Sequence, residues 1–222
     1  MRVELAAEAT ERTTAATDAL LAVATVAVLA WIRHRSAASF GRTVWLSALG
    51  AMAVASVLGA ATHGLALSTA VRALLWQPLY LALGATMALF VVGAVRDWRG
   101  DRAARRMLLP MLGLTLAFYG ATRVSGGAFL VFVLYEAAAL GFALVVYAWL
   151  AARRHRPGAG AMAGALAVSL AAGAVQAADL GTLHLVWDFD HNGVFHLVQL
   201  AGIVLLGAGL RRLLNPPQLE GV

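Results

Sequence analysis

The chain has 222 residues, of which 61 % are hydrophobic and 13 % are charged. This composition is typical of membrane proteins that cross the bilayer several times rather than of soluble domains. The formal net charge of +6 comes from arginine, because no lysine occurs, and cysteine is also absent. A retinal Schiff base needs a lysine amine, so a rhodopsin-type photoreceptor is excluded, and so are disulfides and thiolate metal sites.

Seven apolar segments are each long enough to cross the hydrocarbon core, which takes about 20 residues of helix. Backbone groups must find their partners within the segment in lipid, and none of the segments alternates like a barrel strand, so all seven are predicted to be helices. We expect a single all-α domain over residues 1–222, a seven-transmembrane helix bundle with spans at about 15–32, 43–67, 72–95, 106–122, 126–151, 159–180 and 193–213.

The arginines gather in alternate loops and so predict the orientation of the bundle. Loops 1–2, 3–4 and 5–6 and the C-terminal tail are arginine-rich, whereas the opposite loops contain only Arg72 and Arg123. Arginine-rich short loops stay in the cytoplasm, so the N-terminus is predicted outside and the C-terminus inside. The positive charge is therefore an orientation signal, and the expected partner is the lipid bilayer, not nucleic acid. We expect an integral protein of a bacterial inner (plasma) membrane.

Polar and aromatic side chains share one depth at the predicted outer end of the bundle. Counting about 1.5 Å per residue from each helix end brings to this level His63, Trp76, Gln77, Tyr80, Tyr119, Arg123, Gln176, Asp179, His196 and Gln199. The last loop, "DLGTLHLVWDFDHNG", adds His184, Asp188, Asp190 and His191. His34 and His155 lie among the arginines of cytoplasmic loops, and we assign them no chemistry.

The start of the seventh helix decides whether two of these histidines can meet. Asn192 is predicted to be the N-cap of a helix that begins at Gly193, which leaves His191 in the loop and puts His196 near the first turn. The two rings then converge. A helix that began earlier would set the two histidines about 140° apart and would disfavour a shared ligand.

Two acidic residues lie within or beside the apolar spans. Glu136, in "FLVFVLYEAAALGF", is about ten residues into the fifth span and is predicted to face the bundle interior. Two interpretations stay open: a functional carboxyl, or a protonated glutamic acid bonded to a neighbouring helix. Asp18, at the start of the first span, is predicted to be an interfacial cap.

The layout resembles the superfamily of alkaline ceramidases, haemolysin III-like proteins and adiponectin receptors. The similarity rests on His63 at the end of the second helix and on "GVFHLV", Gly193 to Val198, at the start of the last. In that superfamily, such histidines hold a zinc ion whose bound water attacks an amide or ester. This chain has Asn192 where the family has a histidine, with His191 one place earlier, and Gly59 where the family has a serine. Gln77 and Tyr80 stand where the family has an aspartate.

Three functions follow as hypotheses. The first is a zinc-dependent membrane hydrolase that acts on a lipid or amphiphilic substrate at the outer leaflet, with His63, His191 and His196 as zinc ligands. Asp190, Asp188 or Glu136 would then orient a ligand or take a proton. The second is a non-enzymatic sensor, carrier or assembly partner in which the histidines and carboxylates form a polar cap. The third is a haem site between His63 and His196.

Overall fold

The computed structural model describes residues 4–178 and 181–215. These residues form seven helices that are each long and apolar enough to cross a membrane. The chain is therefore an all-α integral membrane protein in contact with the lipid bilayer. The helices are α1 (Ala9–Arg35), α2 (Phe40–Gly64), α3 (Thr69–Arg99), α4 (Asp101–Val124), α5 (Phe129–Ala152), α6 (Ala159–Ala178) and α7 (His191–Leu214). Between α6 and α7, the two-residue strands β1 (Leu183–His184) and β2 (Asp188–Phe189) pair in antiparallel register.

Helix α1 begins at Ala9, about a turn and a half before the predicted start of its span. Its first turns are polar, but they pack against the rest of the protein, because Thr14 is fully buried and Thr17 is 3 % exposed. Asp18 lies well inside the helix and is also buried, so its prediction as an interfacial cap is wrong. The position of Asp179 lies outside the described residues.

Six of the helices form a closed ring in the order α1, α2, α3, α5, α6, α7, with each helix packed against the next and α7 against α1. Helix α4 lies outside this ring and packs mainly against α3. Its buried side chains form one narrow stripe, whereas Leu109, Leu112 and Leu116 are exposed and face where lipid would lie. This arrangement leaves the centre of the ring enclosed by helices on all sides.

The two ends of the bundle differ in how they are filled. We call the end that carries Arg33, Arg99, Arg154 and Arg211 the arginine end, and the opposite end the cavity end. The arginine end has a packed core in which the fully buried Trp45 ring meets Phe90 edge-on at 5.3 Å. Gly93 makes this packing possible, since a Cβ there would stand 2.5 Å from the Trp45 ring.

A buried polar cluster also lies near the arginine end. The Tyr147 hydroxyl, on α5, donates a 2.6 Å hydrogen bond to Asp97 Oδ2 on α3. Arg96 Nη1 donates to the other carboxylate oxygen at 2.8 Å, and Arg156 Nε donates to the Asp97 carbonyl at 3.2 Å. Asp97 is thus a buried carboxylate whose two oxygens both have donors, which is the condition under which a buried charge is tolerated.

Candidate functional site

A cavity of about 760 Å³ occupies the centre of the ring at the cavity end. Most of the polar residues predicted to share one depth line it: His63, Trp76, Gln77, Tyr80, Arg123, Gln176, His191, His196 and Gln199. Asp18, Asn192 and Glu136 line it as well. Exposed residues at the start of α3 and the end of α4, including Ala73 and Arg123, form its rim. These side chains, which were predicted to share one depth, therefore line one cavity.

His196 and Asp18 form the buried pair that joins α7 to α1. His196 Nε2 lies 3.3 Å from Asp18 Oδ1, and His196 Nδ1 lies 3.1 Å from the Thr17 hydroxyl. The Thr17 hydroxyl donates to the Thr14 carbonyl at 2.9 Å, so it accepts from His196 Nδ1–H. The other ring nitrogen then faces a carboxyl oxygen, and two lone pairs at that distance repel unless a proton lies between them. The pair therefore holds one proton, on Asp18 or on His196 Nε2.

Gly59 on α2 makes room for this pair. A Cβ built at Gly59 would overlap the Asp18 carboxyl group, because it would lie 2.8 Å from Asp18 Cγ. The absence of a side chain at residue 59 is therefore what lets the Asp18 carboxyl lie against α2. This contact gives a physical reason for the glycine at residue 59, since any side chain there would collide with Asp18.

His63, at the end of α2, has a carboxylate partner of its own. Its Nδ1 lies 2.9 Å from Glu11 Oε2, and Arg72 Nη1 lies 3.7 Å from the same oxygen. Because the carboxylate accepts, His63 Nδ1 carries the hydrogen and Nε2 keeps its lone pair in the neutral ring. The ring also meets Trp76 edge-on at 6.1 Å. His63 thus lies between an ion pair and the aromatic wall of the cavity.

The start of α7 differs from the prediction. The helix begins at His191, and Asp190 is its N-cap, with Asp190 Oδ1 accepting from Gly193 N at 2.8 Å and from the Thr14 hydroxyl at 2.7 Å. The prediction that Asn192 caps the helix and that His191 lies in the loop is wrong. Asp190 takes the cap because its carboxylate also binds α1. His191 and His196 are then five positions apart on one helix, about 140° around it.

The β1–β2 hairpin packs against α1 rather than across the cavity. The Thr13 hydroxyl donates to the Asp188 carbonyl at 2.6 Å, and His184 pairs with the Asp188 side chain at 2.7 Å, away from the cavity lining. At the tip of the hairpin, Val186 and Trp187 are exposed. Between the hairpin and the body of α7, the residues that line the cavity are therefore His191 and Asn192, in the first turn of α7.

Glu136 lies on the cavity wall and is 6 % exposed, so the prediction that it faces the bundle interior is confirmed. Gly173 on α6 provides the space for it, because a Cβ there would stand 3.2 Å from Glu136 Oε2. Within residues 4–178 and 181–215, no hydrogen bond or ion pair joins Glu136 to another side chain. One turn further along α6, Gln176 Nε2 donates to Asn192 Oδ1 at 2.8 Å.

The described side chains do not form a metal site in this arrangement. In the part of the chain that the structure describes, no group of three or more histidine and carboxylate residues is arranged to hold a metal ion. His196 has both ring nitrogens directed at Thr17 and Asp18, and the register of α7 turns His191 away from it. Zinc at His63, His191 and His196 stays a prediction.

Asp18, Thr17 and Glu11 are the site residues that the sequence interpretation did not assign. One signal for the first two is present in the sequence, since Thr14, Thr17, Asp18, Leu21 and Thr25 follow the spacing of one helix face. All five are buried. A polar stripe of this kind on a membrane helix indicates a face that packs against other helices. The partners of these residues on α2 and α7 are not readable from that spacing.

Comparison with known protein families gives a match over most of the chain. A family model, described as a family of unknown function (DUF6962), matches residues 13–215 and so covers all seven helices. No curated protein and no solved structure is significantly similar to the chain.

Proposed function

The chain belongs to this family of unknown function, and we propose from the geometry of its cavity that it binds a small amphiphilic molecule inside the bundle, as a sensor or carrier. The observation that carries the proposal is the central cavity of about 760 Å³, which falls within the range of pockets for drug-sized ligands. A bundle that needed only to be stable would fill this volume with side chains, as the arginine end does.

The lining of the cavity suits a molecule with a polar and an apolar part. Trp76, Tyr80 and Phe132 contribute aromatic surface, whereas Glu136 and Gln176 contribute buried polar groups. We further propose that the cavity end faces the outside of a bacterial inner membrane, as the arginine distribution predicts. The ligand would then enter from the outer leaflet.

Calorimetric titration of the protein in nanodiscs with n-octanol tests this proposal, with the heat of empty nanodiscs subtracted. We expect saturable octanol binding in the parent. We expect Ala55→Phe to lose this binding, because Ala55 lines the cavity and a phenyl ring at this position would occupy the space for the ligand. Val54→Phe is the matched control, because Val54 is 52 % exposed on the lipid side of the same helix. The absence of saturable heat in the parent, or equal binding in both variants, would refute the proposal.

A zinc-dependent hydrolase acting on a lipid amide or ester is the second proposal. What favours it is that His63, His191 and His196 line the same cavity and that His63 and His196 each have a carboxylate beside one ring nitrogen. Carboxylates in that position orient the histidines of metal sites. Zinc would supply a bound hydroxide as nucleophile at neutral pH. In this proposal Glu11 and Asp18 orient the histidine rings, and His196 Nδ1 would give up its contact with the Thr17 hydroxyl to bind the ion. Asp190, as the cap of α7, would hold the helix start that carries His191.

Elemental analysis of the purified protein in mild detergent decides between the two proposals. The hydrolase requires about one zinc per chain in the parent and a clear loss of zinc in His63→Ala and His196→Ala. His34→Ala is the control, since His34 lies at the arginine end of α1. Equal zinc in all variants, or none in any, would refute the zinc site. Either result would leave the binding function as the remaining proposal.

A further inference from the structure

We propose that the ligand of the cavity is an organic ammonium cation whose charged group binds Glu136 and the side-chain oxygens of Gln176 and Gln199. This inference rests on the proposed binding function and names the chemical class of the ligand.

Glu136 is the first reason to expect a cation. Its carboxyl group lies deep in an apolar span, is 6 % exposed and lines the cavity. No described side chain donates a hydrogen bond to it. A buried carboxyl without a partner is costly, and a bound cation would offset that cost. The space opposite Gly173 allows the carboxyl to remain on the wall rather than turn into lipid.

Two buried acceptors lie on α6, the helix next to Glu136, and on α7 beyond it. Gln176 Oε1 and Gln199 Oε1 are buried and have no hydrogen-bond partner among the described residues. The Gln176 amide is oriented by its donation to Asn192, which leaves the oxygen as the unused atom. Both side chains line the cavity. An ammonium group has three donors and no acceptor, so it complements one carboxyl and two amide oxygens.

Aromatic rings lie beside Glu136, on its own helix α5 and on the neighbouring helix α3. Trp76 and Tyr80 lie on successive turns of α3 with ring centroids 5.3 Å apart, and Phe132 and Phe129 continue this surface from α5, also 5.3 Å apart. Aromatic faces attract cations through their quadrupole and also bind alkyl chains. An aromatic surface beside a carboxyl suits an amine with an apolar arm better than it suits an anion.

The other charges around the cavity leave Glu136 without a counter-charge. Asp18 and His196 share one proton, so together they are neutral. Glu11 is not part of the cavity lining and faces His63 and Arg72. Arg123 also lines the cavity, but it is an exposed residue at the rim. Of the described residues that line the cavity, Glu136 is therefore the carboxyl that a ligand cation would meet.

The test compares n-octylamine, n-octanol and octanoate by calorimetric titration of the full chain in nanodiscs, with empty nanodiscs subtracted. We expect the amine to bind at least about tenfold more tightly than the alcohol, because charge-assisted hydrogen bonds are about twice as strong as neutral ones. Octanoate should bind more weakly than the alcohol. Glu136→Gln keeps the size of the side chain, and we expect it to remove the preference for the amine while octanol binding persists.

Glu8→Gln is the matched control, because Glu8 is exposed beside the start of α1 and makes no side-chain cap hydrogen bond. It should retain the preference for the amine. If octanol or octanoate binds the parent as tightly as octylamine, the inference is refuted while the binding function stands. If no probe binds saturably, the binding function fails instead. The three probes test the parent protein directly, so the inference can be refuted even if Glu136→Gln fails to fold.

Discussion

At the scale of single residues, Gly59 leaves the space that the Asp18 carboxyl occupies. We expect Gly59→Ala to lower the free energy of unfolding by about 1–3 kcal/mol, the usual cost of inserting a methyl group into a filled site. This cost exceeds the gain of at most about 1 kcal/mol that alanine normally brings over glycine inside a helix. Thermal or denaturant unfolding in mild detergent measures the difference.

Two controls separate this overlap from a general effect of alanine on α2. Gly50→Ala is on the same helix, and its new methyl group would meet nothing closer than Leu29 Cδ1 at 3.9 Å, so it should not destabilise. In an Asp18→Ala background, Gly59→Ala should also lose its cost, because the overlapping carboxyl is gone. A cost that persists in the Asp18→Ala background would show that the contact with Asp18 is not its cause.

At the scale of helices, the hydrogen bond from Tyr147 to Asp97 connects α5 to α3, two helices that are neighbours in the ring but not in the chain. Tyr147→Phe would leave Asp97 Oδ2 buried without its donor. Hydrogen bonds to charged groups contribute about 1.5–3 kcal/mol, so we expect a loss of that size in the free energy of unfolding. Denaturant unfolding of parent and variant provides the measurement.

Tyr119→Phe is the matched control for this prediction. The Tyr119 hydroxyl donates to Gln77 Oε1 at 3.0 Å, and this neutral amide lies at a partly buried site of the cavity end. Its removal should cost about 0.5–1.5 kcal/mol, the range for neutral hydrogen bonds. Equal losses in the two variants would indicate that the buried carboxylate of Asp97 gives its bond no additional strength.

At the scale of the whole molecule, the arginine distribution predicts that the arginine end lies in the cytoplasm. A reporter that is active only outside the cytoplasm should therefore give no signal when it follows Asn215, after α7. The same reporter inserted after Val186, at the tip of the hairpin, should give a signal. The opposite pattern would reverse the orientation, and signals at both positions would contradict the crossing of the membrane by α7.

The sequence alone was sufficient for the number and kind of helices. A run of about 20 apolar residues in lipid must satisfy its own backbone groups, and a helix does so without reference to the rest of the chain. For the same reason the depth of His63, Gln176 and His196 could be counted from the helix ends. The burial of Glu136 was also predictable, because an acidic residue at that depth is costly in contact with lipid.

The partners of these residues were decided by tertiary structure. That Asp18 binds His196, that Gly59 leaves room for it, and that Asp190 rather than Asn192 caps α7 all depend on how α1, α2 and α7 meet. Helix periodicity determines which face a residue occupies, but not which neighbour that face touches. The central cavity has the same origin, because it exists only when six helices close into a ring around side chains that are far apart in sequence.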